Sequence, residues 1–253
     1  MTICYFTASG NCLYVARRIG GTLLSIPQLM RQEKIEIKDD AVGIVCPVYA
    51  VELPFMIVDF MKKADIRTDY FFFIHTCGYG FEVSLGHAEV AARERGLDLK
   101  YGNGVLMVDN YLPMFDMDEE LRKLPGKNVE GQLDKICADI QARKEKRVKL
   151  TPALKAQMAL YHKTHAPKVI DKGMALDYTV NADCIHCGTC AKVCPANNIT
   201  VTEDKVIFGD QCEVCYACLH NCPKKTIHLP VEKAGARFRN EHVTLQDIIN
   251  ANE

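Results

Sequence analysis

Apolar positions in the first 147 residues follow two alternating rhythms. Residues 2–6 form a short β-branched and aromatic run, and residues 42–48 (VGIVCPV) and 70–75 (YFFFIH) are continuous apolar runs. Runs of this kind suit strands buried on both faces. Between them, Leu13, Ala16, Ile19 and Gly20 fall at helical spacing, with Arg17 and Arg18 facing out. Residues 55–63 read as a helix, and 82–95 as another, closed by Gly96. Residues 97–108 hold one last apolar strand at 105–108, and 128–147 is a helical segment. The second strand is either 22–26 or 35–37. Strands alternating with helices predict an α/β unit: a parallel sheet covered on both faces.

Past residue 177 the rhythm gives way to cysteine. Cys184, Cys187, Cys190 and Cys194 are followed by Cys212, Cys215, Cys218 and Cys222, with Pro195 and Pro223 after each fourth cysteine. Each block reads C-x2-C-x2-C-x3-C-P. Thiolates at this spacing hold iron–sulfur clusters, the fourth cysteine of each block serving the other block's cluster. The pattern predicts one [4Fe–4S] cluster on Cys184, Cys187, Cys190 and Cys222. It predicts a second on Cys212, Cys215, Cys218 and Cys194. The repeat extends further: Val180 and Phe208 each stand four before a first cysteine, and Ile199 and Ile227 each five after a fourth. Zinc is the competing reading, because thiolates bind it too. It needs two C-x2-C pairs, and has no use for a third cysteine and a swapped fourth. Residues 177–232 resemble bacterial-type two-cluster ferredoxins, which implies a small α+β domain.

The first strand ends in Thr7-Ala8-Ser9-Gly10-Asn11-Cys12 and a helix follows. A strand, a hydroxyl-rich loop and a helix N-terminus together make an anion cradle from backbone N–H groups. The hydroxyls of Thr7 and Ser9 add hydrogen bonds to phosphate oxygens. With the alternation that follows, residues 1–147 resemble a flavodoxin, and the loop is similar to that family's T-x-T-G-x-T. Thr7, Ser9, Gly10 and Asn11 match; Cys12 stands where a Thr or Ser is usual, and a thiol is the weaker donor. The resemblance implies a flavodoxin-like doubly wound sheet with bound FMN, the ligand sitting beyond the carboxyl ends of the strands. The loops there are 7–12, 47–54, 76–80 and 109–116. They carry Pro47, Val48, Tyr49 and Ala50, then Thr76, Gly78, Tyr79 and Gly80, then Asp109, Asn110 and Tyr111. Tyr49 and Tyr79 offer aromatic faces to a planar ring, in a chain without tryptophan.

The domains expected are 1–147, flavodoxin-like and FMN-binding; 148–176, a basic linker; 177–232, the two-cluster ferredoxin; and 233–253, a tail. The tail is partly amphipathic and reads as a short helix packed back on the protein. Residues 143–176 hold Arg143, Lys144, Lys146, Arg147, Lys149, Lys155, Lys163, Lys168 and Lys172 against Glu145 and Asp171. They read as solvated helix faces, with a docking surface for an acidic redox partner as the sharper alternative. His162 and His165 read as plain surface residues. Net charge is only −1, so no global field argues for nucleic acid or a membrane. The first residues lack the basic region and long apolar core of a signal peptide, and no apolar run is long enough to span a bilayer. A soluble, cytoplasmic, oxygen-avoiding chain is the expectation.

The whole is similar to anaerobic flavodoxin–ferredoxin fusion proteins. That resemblance implies electron transfer between FMN and two [4Fe–4S] clusters, serving an external redox protein or one-electron carrier. The alternative is a reductase whose open flavin face reduces a small organic substrate directly. For that role Tyr49, Glu52, Tyr79, Asp109 and Tyr111 are candidate proton donors, with no recognisable acid–base constellation. A cluster-based sensor or scaffold is the non-redox reading. No G-x-G-x-x-G nicotinamide fingerprint occurs, so electrons are expected to arrive through the clusters.

Overall fold

The computed structural model describes residues 1–164 and 166–253, the Lys168 side chain excepted. The surface readings of His165 and Lys168 therefore fall outside the described residues. Among those described, five strands build one parallel sheet. They are β1 (Thr2–Tyr5), β2 (Thr22–Ser25), β3 (Ala41–Pro47), β4 (Tyr70–Cys77) and β5 (Leu99–Leu106). Their order is β2-β1-β3-β4-β5, with Cys4 opposite Ile44, Ile44 opposite Phe73, and Ile74 opposite Asn103. That is the flavodoxin-like order, with its switch point between β1 and β3. Successive strand residues face opposite ways, and Phe71, Phe72 and Phe73 are all at or below 1% exposure. Both faces of the sheet are therefore covered, as continuous apolar runs require.

The covering helices are α1 (Asn11–Ile19), α2 (Phe55–Lys63), α3 (Glu82–Glu94) and α4 (Val129–Gln141). Two more follow, α5 (Pro152–Thr164) and α6 (Leu245–Asn252). Of the two segments expected to compete for the second strand, Thr22–Ser25 takes the sheet edge. The other, Glu36–Lys38, forms a separate parallel pair with Asp65–Arg67.

Two boundaries move. The last strand is Leu99–Leu106 rather than 105–108, because Gly102, Asn103 and Gly104 erase its apolar pattern. A Cβ at Gly104 would lie 2.3 Å from the Phe81 ring, and one at Gly102 2.7 Å from Val148. Small residues there make room for neighbours. Helix α4 stops at Gln141, and Arg143 turns the chain with φ 52°. The chain then runs along the free edge of β5, where Gly102 N–H donates to Lys146 O at 3.0 Å and Lys146 N–H to Lys100 O at 2.9 Å.

The segment expected to link the domains instead contains α5, packed on α3 so closely that a Cβ at Gly86 would lie 2.6 Å from Met158 Sδ. In the cysteine region Val180 pairs with Ile227, and Phe208 with Ile199, in two short antiparallel ladders. The repeat residues thus pair across and within blocks, and Val193, Cys215 and Ala217 join the same apolar cluster as the sheet. The tail forms α6 under a Thr244–Asp247 capping box. An Arg17–Asp247 ion pair of 2.5 Å and a Gln28 Nε2 bond to Asn250 O of 2.7 Å tie it down. No helix among the described residues is long and apolar enough to cross a membrane.

His75 on β4 is fully buried, and desolvation lowers it from its ordinary 6.5 to about 4. Below pH 6.5 the unfolded chain binds a proton there that the folded chain resists, so stability present above 6.5 is lost as pH falls toward 4. His75→Phe is expected to flatten that fall. Urea midpoints at pH 7 and pH 5 check it; an unchanged difference would remove His75 as the cause.

Candidate functional site

Every predicted flavin position except Gly10 lines one cavity of about 440 Å³ at the carboxyl edge of the sheet. The hydroxyl-rich loop forms one end of it. Gly10 takes φ 101°, a left-handed conformation that turns β1 into α1. No side chain caps α1, so its first-turn N–H groups remain for an anion. Thr7 is 2% exposed and its Oγ1 has no hydrogen-bond partner among the described residues. Ser9 Oγ accepts from Asn110 Nδ2 at 2.5 Å. The Cys12 Sγ lies 3.1 Å from Thr76 Oγ1, and burial pushes its thiol up to about 12. A buried hydroxyl without a partner, beside an uncapped helix N-terminus, fits a phosphate.

The other loops shape the remainder. A Cβ on Gly78 would stand 2.1 Å from the Asp109 Cβ, so glycine is needed for that acid to pack. Burial raises the Asp109 carboxyl, partly offset by a 3.3 Å bond from Tyr111 N–H. Lys127, which sequence reasoning passed over, donates to Gly78 O at 3.0 Å and Met107 O at 2.5 Å, stapling two cavity loops together. Tyr49 sits edge-on to Phe6 at 6.4 Å, and desolvation raises its phenol well up, with Cys215 and Cys12 adding. Tyr79, expected to cover the ring, stands 93% exposed at the mouth. Between Tyr49 and Glu52 the chain makes a tight turn through Ala50 (φ 48°) and Val51 (φ 63°). A left-handed valine is costly.

His162 is exposed, as read from the sequence, and Glu52 gives it a partner. The Glu52 carboxylate lies 3.2 Å from His87 Nε2 and 3.2 Å from His162 Nδ1, joining the turn to α3 and α5. The contact spans 110 residues and leaves no local spacing to read. Other lining residues were equally invisible in sequence: Gln157 and Tyr161 of α5, and Val214, Cys215 and Tyr216 of the second cysteine block.

Cysteines of each block have cysteines of the other block as neighbours. Cys190 has Cys222, Cys187 and Cys184 as its electrostatic neighbours. Cys215 has Cys212 and Cys194, and Cys218 has Cys215, Cys194 and Cys212, then Cys190. Pairing of Val180 with Ile227 explains the crossing, since it carries Cys222 back to the first block. Burial pushes the Cys190 thiol to about 11 and those of Cys215 and Cys218 well above their ordinary value. Such thiolates need a cation beside them. Burial would raise Cys222 also, but the Thr226 hydroxyl and the N–H groups of Thr226, Lys224 and Lys225 outweigh it and hold it low. Cys187 is exposed, whereas Cys190, Cys194, Cys215 and Cys218 are buried.

Direct bonds join the second cysteine block and the tail beyond it to the sheet domain. Asn221 Nδ2 donates to Ala8 O at 3.1 Å, and Asn240 N–H to Ser9 O at 2.8 Å. His220 Nε2 donates to Asn110 O at 3.0 Å while its Nδ1 accepts Phe238 N–H at 3.1 Å. Glu213 caps α2 by accepting Met56 N–H at 3.0 Å; burial raises its carboxyl to about 6.

With this geometry in place, comparisons with known proteins are informative for the cysteine region. Residues 183–226 match the family model of the 4Fe-4S dicluster domain. One component of an ion-translocating oxidoreductase complex from Methanosarcina acetivorans is 42% identical over 60 residues, 23% of this chain and 23% of that protein. The polyferredoxin protein MvhB of Methanothermus fervidus is 34% identical over 64 residues, 25% of this chain and 13% of its own. The chain thus spans under a quarter of each relative. A solved Bacteroides uniformis protein, provisionally described as a flavoprotein, superposes with TM-score 0.33 and 16% identity, over 41% of this chain and 88% of that one. This is an α/β chain with a five-stranded parallel sheet and a C-terminal 4Fe-4S ferredoxin domain. That domain is an iron–sulfur electron-transfer unit.

Proposed function

We propose that the chain is a flavodoxin–ferredoxin fusion protein, one that transfers electrons between FMN and two [4Fe–4S] clusters in anaerobic cytoplasm. One observation carries the reading: Cys215 lines the same cavity as the residue 7–12 loop. A flavin supplies one- or two-electron chemistry, and iron–sulfur clusters single electrons. Thr7, Ser9 and the N-terminus of α1 would hold the phosphate, and the loops bearing Tyr49, Thr76, Gly78 and Asp109 the ring. Cys184, Cys187, Cys190 and Cys222 would ligate one cluster, and Cys212, Cys215, Cys218 and Cys194 the other. A single zinc draws its ligands to a point, whereas a cubane spreads them over four irons. The division into 1–147, 148–176, 177–232 and 233–253 holds in this proposal, with the linker helix as a wall of the cavity rather than a free tether.

Anaerobically reconstituted protein is expected to hold about eight irons per chain, matching eight cysteine ligands, and stoichiometric FMN. Cys215→Ser is expected to slow electron transfer to the flavin while FMN stays bound. Stoichiometric zinc without labile sulfide, or flavin reduction in Cys215→Ser at the native rate, would sink the proposal. Asp109 supports a second reading, reduction of a small organic substrate, because a cavity acid with a raised pKa is a proton donor. Asp109→Asn would then abolish substrate turnover and leave cluster-to-flavin transfer intact.

A further inference from the structure

A second, open cavity of about 330 Å³ lies on the far side of the residue 7–12 loop, walled by Cys222, Lys225, Arg237, Arg239 and Glu241. Its character is cationic. Arg237 is spent internally, donating to Glu232 Oε2 at 3.0 Å and Ile227 O at 3.0 Å. Lys225 and Arg239 are exposed, and among the described residues neither forms an ion pair with a carboxylate. Arg239 reaches only the Asn221 amide, at 3.5 Å. The carboxylate in the lining, Glu241, is itself exposed and lies 3.9 Å from His242.

The basic segment that first suggested a docking surface is, by contrast, consumed in part, with Lys149, Lys155 and Lys163 remaining exposed. Lys144 pairs with Asp139 at 2.5 Å, Arg147 with Asp98 at 2.5 Å and Glu145 at 2.8 Å, and Arg143 donates to Asp40 O at 2.9 Å. Lys225 and Arg239 differ from the other exposed cations in lying beside Cys222. Position matters as well as charge. Cys215 faces the flavin cavity, so its set is the inner one. The set of Cys184, Cys187, Cys190 and Cys222 is the outer one, with Cys187 exposed and Cys222 on the wall of this second cavity.

We infer that an acidic one-electron carrier protein docks here, its carboxylates on Lys225 and Arg239, and reduces the chain through the outer cysteine set. The inference rests on the electron-transfer reading above. One electron leaves the reduced carrier and one arrives at the outer cluster; no bond is made or broken. Complementary charge at such a face speeds encounter and fixes register.

The test uses the reconstituted holoprotein and, as probe, a strongly acidic two-cluster ferredoxin. Calorimetry with the oxidised probe at low salt is expected to show Lys225→Glu/Arg239→Glu binding about tenfold weaker than wild type or worse. The control pair Lys155→Glu/Lys163→Glu, on exposed positions of α5, is expected to bind within about twofold of wild type. In stopped flow, bleaching of the clusters by the reduced probe should slow in the first variant and lose its salt dependence. A zwitterionic viologen should bleach all three proteins alike. Native affinity in Lys225→Glu/Arg239→Glu, or an equal loss in the control pair, would overturn the docking face. Failure of the reading beneath it would look different: clusters bleach normally in wild type and flavin absorbance does not follow.

Discussion

Replacing Gly10 by valine is expected to abolish FMN binding, with flavin occupancy falling from stoichiometric to background. Two independent costs act at this position. Gly10 has φ 101°, where a β-branched residue is strained. An added Cβ would also lie 3.0 Å from the Asn240 Cβ and 3.0 Å from the Val243 Cβ, before valine's two methyl groups are counted. The loop cannot keep both its turn and its backing. Thr7→Ala is the gentler companion, deleting the buried hydroxyl that has no partner among the described residues. A hydrogen bond to a charged group is worth about 1.5–3 kcal/mol, so FMN affinity should fall roughly tenfold to a hundredfold. Flavin fluorescence titration of both variants, with iron content as the control for folding, measures this. Full occupancy in Gly10→Val would place the phosphate elsewhere.

Cys222→Ala is expected to destroy the first-block cluster, although the residue stands in the second block. The structural ground is the neighbourhood of Cys190, which holds Cys222 together with Cys184 and Cys187. The reciprocal variant, Cys194→Ala, should remove the cluster of Cys212, Cys215 and Cys218, and with it the centre beside the flavin cavity. The two variants are therefore expected to differ in function. Cys222→Ala blocks delivery from outside, whereas Cys194→Ala isolates the flavin from an outer cluster that still accepts electrons. EPR of the reduced proteins with iron analysis distinguishes them. Loss of the second-block cluster in Cys222→Ala would refute the crossed assignment.

What could be read in the sequence was what local spacing encodes. The two C-x2-C-x2-C-x3-C-P blocks and their flanking Val180, Phe208, Ile199 and Ile227 were legible because each constraint acts within a few residues. The structure then pairs those flanking residues directly. The loop at 7–12 was legible because strand, turn and helix are contiguous, and the other cavity loops because sheet topology dictates where they must lie. Long-range contacts left no such trace. Glu213 capping α2 spans 157 residues, and the Glu52–His162 contact spans 110. Val214, Cys215 and Tyr216 read as cluster loop alone, since nothing local says that a cysteine loop also walls the cavity at the sheet edge. The start of β5 was hidden for a different reason. Its glycines answer to Phe81 and Val148, neither of which belongs to the strand's own pattern.

The bracing of the residue 7–12 loop also sets an order of biogenesis. Ala8 O is held by Asn221, 213 residues later, and Asn11 by Asn240, 229 residues later. During synthesis the N-terminal half emerges first and is free to fold first, but its residue 7–12 loop then lacks both braces. The cradle is complete only after the ribosome has delivered both cysteine blocks and the segment beyond them. Completion of the loop is thereby coupled to delivery of the C-terminal residues: a nascent chain stalled ahead of residue 221 has its sheet and an unbraced loop.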